Sequence, residues 1–110
     1  VLNSVLSYNT AIGHGANPAA PGTPGGGSGG AIYTDGNLYT VRVAGCVVAD
    51  NHANEGGGAV FFVSNDRTGT MTIDSSTFQN NPSDGFGTTG FPGFFFLGAH
   101  NPTVTASTLR

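Results

Sequence analysis

The chain has 110 residues, of which 8% are charged, and its formal net charge is −3. That length fits about one small domain, and the sparse, slightly acidic charge excludes a nucleic-acid or anionic-membrane surface as a partner. With 19 Gly and 6 Pro spread through it, few long helices could survive, and no apolar run reaches the length of a membrane span.

The first element is the block Val1-Leu2-Asn3-Ser4-Val5-Leu6-Ser7-Tyr8-Asn9, which returns at residues 43–51 and 73–81 and begins again at 104–110. Val1, Val43, Ile73 and Val104 fall in one column, and Ser4, Cys46, Ser76 and Ser107 in a second. Leu6, Val48, Phe78 and Leu109 make a third, and Asn9, Asn51 and Asn81 a fourth. The serine and cysteine column sets the spacings at 42, 30 and 31 residues, a period at which stacked supersecondary units bury their apolar faces against one another. The longer first interval holds a Gly/Pro-rich insertion at about residues 12–28, expected to leave the repeat as a surface loop.

A second block follows the insertion. Gly29-Gly30-Ala31-Ile32-Tyr33 returns as Gly57-Gly58-Ala59-Val60-Phe61-Phe62 and as Pro92-Gly93-Phe94-Phe95-Phe96-Leu97, each a turn feeding an apolar strand. Between the blocks, Tyr39 to Val43 and Thr70 to Phe78 alternate apolar with polar residues, the period of a half-buried strand. The chain is therefore expected to be all-β, one segment over residues 1–110, in about three to four stacked coils. A second loop, residues 81–90, is expected to flank the same face as the insertion.

These residues carry a resemblance. The run Gly-Gly-Ala-apolar-aromatic, then a Thr/Val strand, a Ser-Thr-Phe step and an Asn, is similar to the right-handed parallel β-helix repeats (pectin-lyase-like fold) of bacterial secreted and surface proteins. The resemblance spans nearly the whole chain and implies a fold more than an activity, since that fold hosts lyases, hydrolases, adhesins and tailspikes. It implies an extracellular or bacterial cell-surface setting, with which the low Lys content agrees.

Function is read from what remains. Asn9, Asn51 and Asn81 are expected to form an internal asparagine ladder, because Asn tolerates a left-handed turn and its amide can bond the Asn stacked above. Cys46 permits no internal disulfide and is expected to be an inert, inward thiol. His14 lies in Gly13-His14-Gly15, which resembles a step of polygalacturonase-like hydrolases, but that family's carboxylate motifs are absent and glycoside hydrolysis needs two carboxylates across the bond. No catalytic residue is assigned, and a non-enzymatic role is favoured. No metal is assigned either; the Asn80 to Asp84 loop is the place where a Ca²⁺ site could form, but the sequence does not support the several converging oxygens such an ion requires.

Phe91, Phe94 and Phe96 join His14 and Asp84 as binding candidates, since alternation turns part of the 94–96 run outward and exposed apolar patches commonly mark a partner. Both chain ends fall in mid-coil without caps, so other chains or further coils are expected at the open ends. The resulting expectation is an extracellular structural or binding scaffold, a segment of a larger surface or secreted protein, with a glycan among its candidate ligands. The alternatives are the non-catalytic part of a polysaccharide lyase or glycoside hydrolase, with His14, Asp84 and Arg42 as its fallback residues, and a subunit docking through its open ends.

Overall fold

A computed structural model describes residues 1–15 and 26–110. Most of the expected 12–28 insertion lies outside the described residues. The described residues form twelve strands, β1 to β12 in chain order, and no helix, so no helix among them is long and apolar enough to cross a membrane.

The strands assemble into four sheets in which every neighbouring pair is parallel. The first holds β1 (Val5–Ser7), β5 (Val47–Ala49), β9 (Thr77–Gln79) and β12 (Thr108–Leu109) in that order. The second holds β4 (Thr40–Ala44), β8 (Thr70–Asp74) and β11 (Thr103–Thr105). The third holds β3 (Ile32–Gly36), β7 (Val60–Ser64) and β10 (Phe94–Leu97), and β2 (Thr10–Ala11) pairs β6 (His52–Ala53). Parallel neighbours cannot be joined by a hairpin, so the chain passes through the other sheets before returning beside its earlier strand.

The register is the column pattern of the sequence. Leu6 pairs Val48, Val48 pairs Phe78, and Phe78 pairs Leu109; Val43 pairs Ile73, which pairs Val104. Alternation then sorts each strand. In β8, Met71 and Ile73 are fully buried while Thr70, Thr72 and Asp74 face outward in part. The core gathers Val43, Val48, Val60, Phe62, Met71, Ile73, Phe78 and Phe94, each worth about 1.5–3 kcal/mol relative to exposure.

Two turn columns run through the same stack. Asn3, Gly45, Ser75 and Ala106 have φ of 47°, 67°, 50° and 49°, and Tyr8, Asp50 and Asn80 have 58°, 58° and 52°. The left-handed turn therefore falls on the residue before each ladder asparagine and not on Asn9, Asn51 or Asn81, because a ladder amide has to point inward while the turn residue points out. The serine column is a second ladder: Cys46 N–H donates to Ser76 Oγ at 3.0 Å and Ser76 N–H to Ser107 Oγ at 2.9 Å. Cys46 itself is buried and unoxidised in the core.

Close stacking also explains Gly58. A Cβ there would lie 2.2 Å from the Asn81 carbonyl oxygen and 2.3 Å from that of Pro82, both backbone atoms of the adjoining pass. Gly58→Ala is expected to cost about 1–3 kcal/mol, the usual range for forcing atoms into a packed interior. A shift of the urea midpoint with unchanged m value is the measurement that checks it.

Candidate functional site

The outward faces carry the chemistry, and the most continuous feature on them is aromatic. Tyr33 in β3, Phe61 in β7 and Phe95 in β10 occupy one register position, so their rings stack outside the third sheet. Tyr33 and Phe61 lie 4.9 Å apart at 2°, and Phe61 and Phe95 lie 5.1 Å apart at 27°. Phe86 closes the strip with its ring edge-on to Phe95 at 4.8 Å and 77°. The loop that carries Phe86 is held by its N–H donating to Glu55 O and by a parallel bridge to Gly56. Tyr33, at the end of the stack, is 48% exposed, and Phe86 is 42% exposed.

This strip corrects the aromatic candidates. Phe94 and Phe96 are 1% and 5% exposed and belong to the core, where Phe94 meets Phe78 at 5.0 Å and Phe96 stacks on Phe62 at 4.3 Å. The outward ring of the run is Phe95. Phe91 is half-buried, with its ring edge-on to Phe94 at 6.4 Å. Tyr33, Phe86 and Phe95 are not among the sequence candidates; for Tyr33 and Phe95 the signal is their alignment with Phe61 in the second block, whereas Phe86, in the 81–90 loop, has none.

His14 and Asp84 occupy separate surroundings. His14 is exposed, and the next residue, Gly15, donates its N–H to Glu55 Oε1 at 2.8 Å. Asp84 Oδ1 lies 3.0 Å from His52 Nε2, within hydrogen-bond distance, and the two side chains are 66% and 32% exposed. Arg42 stands on the outward face of β4, opposite Thr72 in β8, on a different sheet from His52. In the 80–84 loop, Asn80 Nδ2 donates to Asp50 Oδ1 at 2.6 Å. Among the described residues, no three His, Cys, Asp or Glu side chains gather to hold a metal.

Asn9, Asn51 and Asn81 are joined by their amides. Asn51 Oδ1 accepts from both the backbone N–H and the side-chain Nδ2 of Asn9, at 3.0 and 2.9 Å. Asn81 Oδ1 accepts the same two bonds from Asn51, at 3.1 and 2.9 Å. The side-chain nitrogens of Asn51 and Asn81 also donate to Leu6 O and Val48 O.

The turn after β7 is the most tightly wired surface segment. Ser64, fully buried, accepts from the N–H groups of Thr68 and Gly69 and donates to Asn37 O. Asp66 Oδ1 accepts from the Thr68 hydroxyl at 2.6 Å, from the Thr68 N–H and from Ser64, and the Thr68 hydroxyl is the main cause holding the Asp66 carboxyl below its usual range. A carboxylate with a lowered folded pKa adds stability that is present above its unfolded value of about 3.9 and fades as pH falls through the folded one. Thr68→Val is therefore expected to raise the Asp66 pKa toward the ordinary value and to narrow the difference in stability from the parent in acid. A carboxyl NMR titration reads the first effect and acid unfolding the second. Burial pushes the phenols of Tyr33 and Tyr39 up.

Compared with protein-family models, curated proteins and solved structures, the chain matches none of them. Its function has to be read from its own surfaces.

Proposed function

We propose that the chain is a right-handed parallel β-helix segment serving as an extracellular or bacterial cell-surface scaffold, with glycan binding on its aromatic strip. The observation that carries the reading is the register itself: in each of the three larger sheets, strands from successive passes pair in parallel with like residues stacked on like. A fold of that kind offers long, flat outer faces with fixed side-chain spacing, which suits display more than enclosure. Tyr33 ends the ring stack with one face against Phe61, and a half-exposed tyrosine has an apolar ring and a polar tip, the combination that sugar C–H faces and hydroxyls both use.

The test is calorimetric titration with soluble neutral and acidic oligosaccharides, repeated on Tyr33→Ala and Phe86→Ala. Saturable binding that either substitution weakens by about tenfold supports the glycan reading, that factor being equivalent to one aromatic contact of about 1.4 kcal/mol. Binding unaffected by both, or no binding at all, removes the strip from the reading and leaves the scaffold alone. A second reading, a protein partner or further coils of the same protein, is favoured by the exposed apolar side chains Leu2, Val5 and Tyr8 of the first repeat.

A further inference from the structure

We propose that the cleft between the turn at residues 65–69 and the segment at residues 98–102 binds a small anionic ligand, one bearing a carboxylate, sulfate or phosphate group, through Arg67 and His100. The site is independent of the aromatic strip. It arises because β7 and β10 are hydrogen-bonded neighbours, so the segments that leave them stack at one corner, tied where Ala99 N–H donates to Gly69 O at 2.8 Å. Between them lies an open cavity of about 340 Å³, lined by Arg67 on one side and by residues 96–101 on the other. That volume is at the lower end of sites that hold small molecules.

The charge arrangement gives the ligand its sign. The chain has only three Arg and three His residues, yet one of each lines this single cleft. Asp84 is paired with His52, and the Arg67 guanidinium has no hydrogen bond or ion pair among the described residues. Asp66, the one carboxylate on these two segments, has Oδ1 bonded to Thr68 and Ser64 and forms no ion pair with Arg67. A guanidinium in that state presents a planar fork matched to two oxygens of an oxyanion.

The backbone holds Arg67 in place. Its φ is 61°, a conformation that costs a residue with a side chain, and the turn is fixed by Arg67 N–H donating to Ser64 O at 3.0 Å and by the Ser64 bonds described above. His100 faces the same cavity. Its Nδ1 lies 2.7 Å from Asn101 O, so Nδ1–H donates to that carbonyl, which fixes the ring, and Nε2 has no partner among the described residues. Phe96 and Leu97 supply the apolar part of the wall.

The experiment is an amide-resolved NMR titration of the intact chain at low salt with glucuronate, glucose 6-sulfate, inorganic phosphate and, as the neutral control, glucose. Saturable shifts at Arg67, Ala99 and Asn101 are expected with at least one anion and not with glucose, and the anion that binds most tightly identifies the group recognised. Arg67→Gln is expected to weaken that anion by about tenfold or more, the loss of a charge-assisted bond, with Arg67→Lys intermediate because it keeps charge without the fork. Should Arg67→Gln fail to fold, Arg67→Gly, which suits the positive φ, replaces it. No saturable shift with any of the three anions, or equal binding by the parent and the Arg67 variants, overturns the proposal.

Discussion

Phe62→Ala is expected to remove about 3–5 kcal/mol of stability, the range for truncating a buried phenylalanine. Phe62 is fully buried, in the middle strand of its sheet, with its ring between Tyr39 at 4.7 Å and Phe96 at 4.3 Å. Deleting it opens a gap beside Phe96 that cannot close, because β7 and β10 are held at fixed spacing by their hydrogen bonds. A domain of this size has about 5–15 kcal/mol in total, so one truncation consumes a large share of it. Phe61→Ala is the internal control. Its ring is the next along the strand and, although only 8% exposed, it lies on the outer face between Tyr33 and Phe95, so water can reach the gap it leaves and its loss is expected to cost about 2–3 kcal/mol, chiefly area and ring stacking. Urea unfolding followed by circular dichroism measures both, and a larger cost at Phe61 would reverse the assignment of the inward face.

Much of this arrangement is legible in the sequence because parallel, in-register stacking puts the same environment at the same offset. Leu6, Val48, Phe78 and Leu109 line up in the text for the same reason that they pair in space. The all-β class follows from that periodicity, and the ladder amides meet at the offsets the columns give. Legibility ends where a residue type says nothing about phase. Three consecutive phenylalanines look the same when shifted by one, so Phe94 to Phe96 do not reveal which ring faces out; the neighbouring strands do, with Val60 and Phe62 inside.

The left-handed turn is hidden for a different reason. Tyr8, Asp50 and Asn80 have φ of 58°, 58° and 52°, and although Asp and Asn tolerate that region better than most residues, Tyr8 breaks the pattern and the neighbouring asparagine column draws the eye instead. The His52–Asp84 pair and the Arg67–His100 cleft are hidden because both join positions that are not in one column. Asp84 lies beyond Ser83, whose bridge partner is Ala53, so it meets His52 diagonally. Arg67 and His100 belong to turns of unequal sequence that come together only after β7 and β10 have paired.

Asn51→Ala is expected to cost about 3–5 kcal/mol, comparable with Phe62→Ala although far less apolar area is lost. Asn51 is fully buried and sits in the middle of the ladder. Removing its amide strands the Asn9 N–H above and the Leu6 carbonyl beside it, leaves Asn9 Nδ2 with its bond to Ser7 O alone, and takes away one of the two donors to Asn81 Oδ1. Each buried group left unpaired costs about 1–3 kcal/mol, discounted here because Asn9 is exposed and water can reach part of the gap. Asn9→Ala removes only the outermost donor and is expected to cost about 1 kcal/mol. Asn51→Asp separates hydrogen bonding from shape, since it keeps the outline and one acceptor but loses the donors to Leu6 O and Asn81 Oδ1. Ionised, the carboxylate would face those two oxygens in the core, so its folded pKa is raised above the unfolded value of about 3.9. Stability linked to that proton is present below the unfolded value and is lost as pH rises through the folded one. The variant is thus expected to lie closest to the parent near pH 3 and to fall away from it toward pH 7, a trend read from urea midpoints across that range. A deficit that stays flat with pH, or an Asn9→Ala cost equal to that of Asn51→Ala, would mean that the amides meet without carrying the stack.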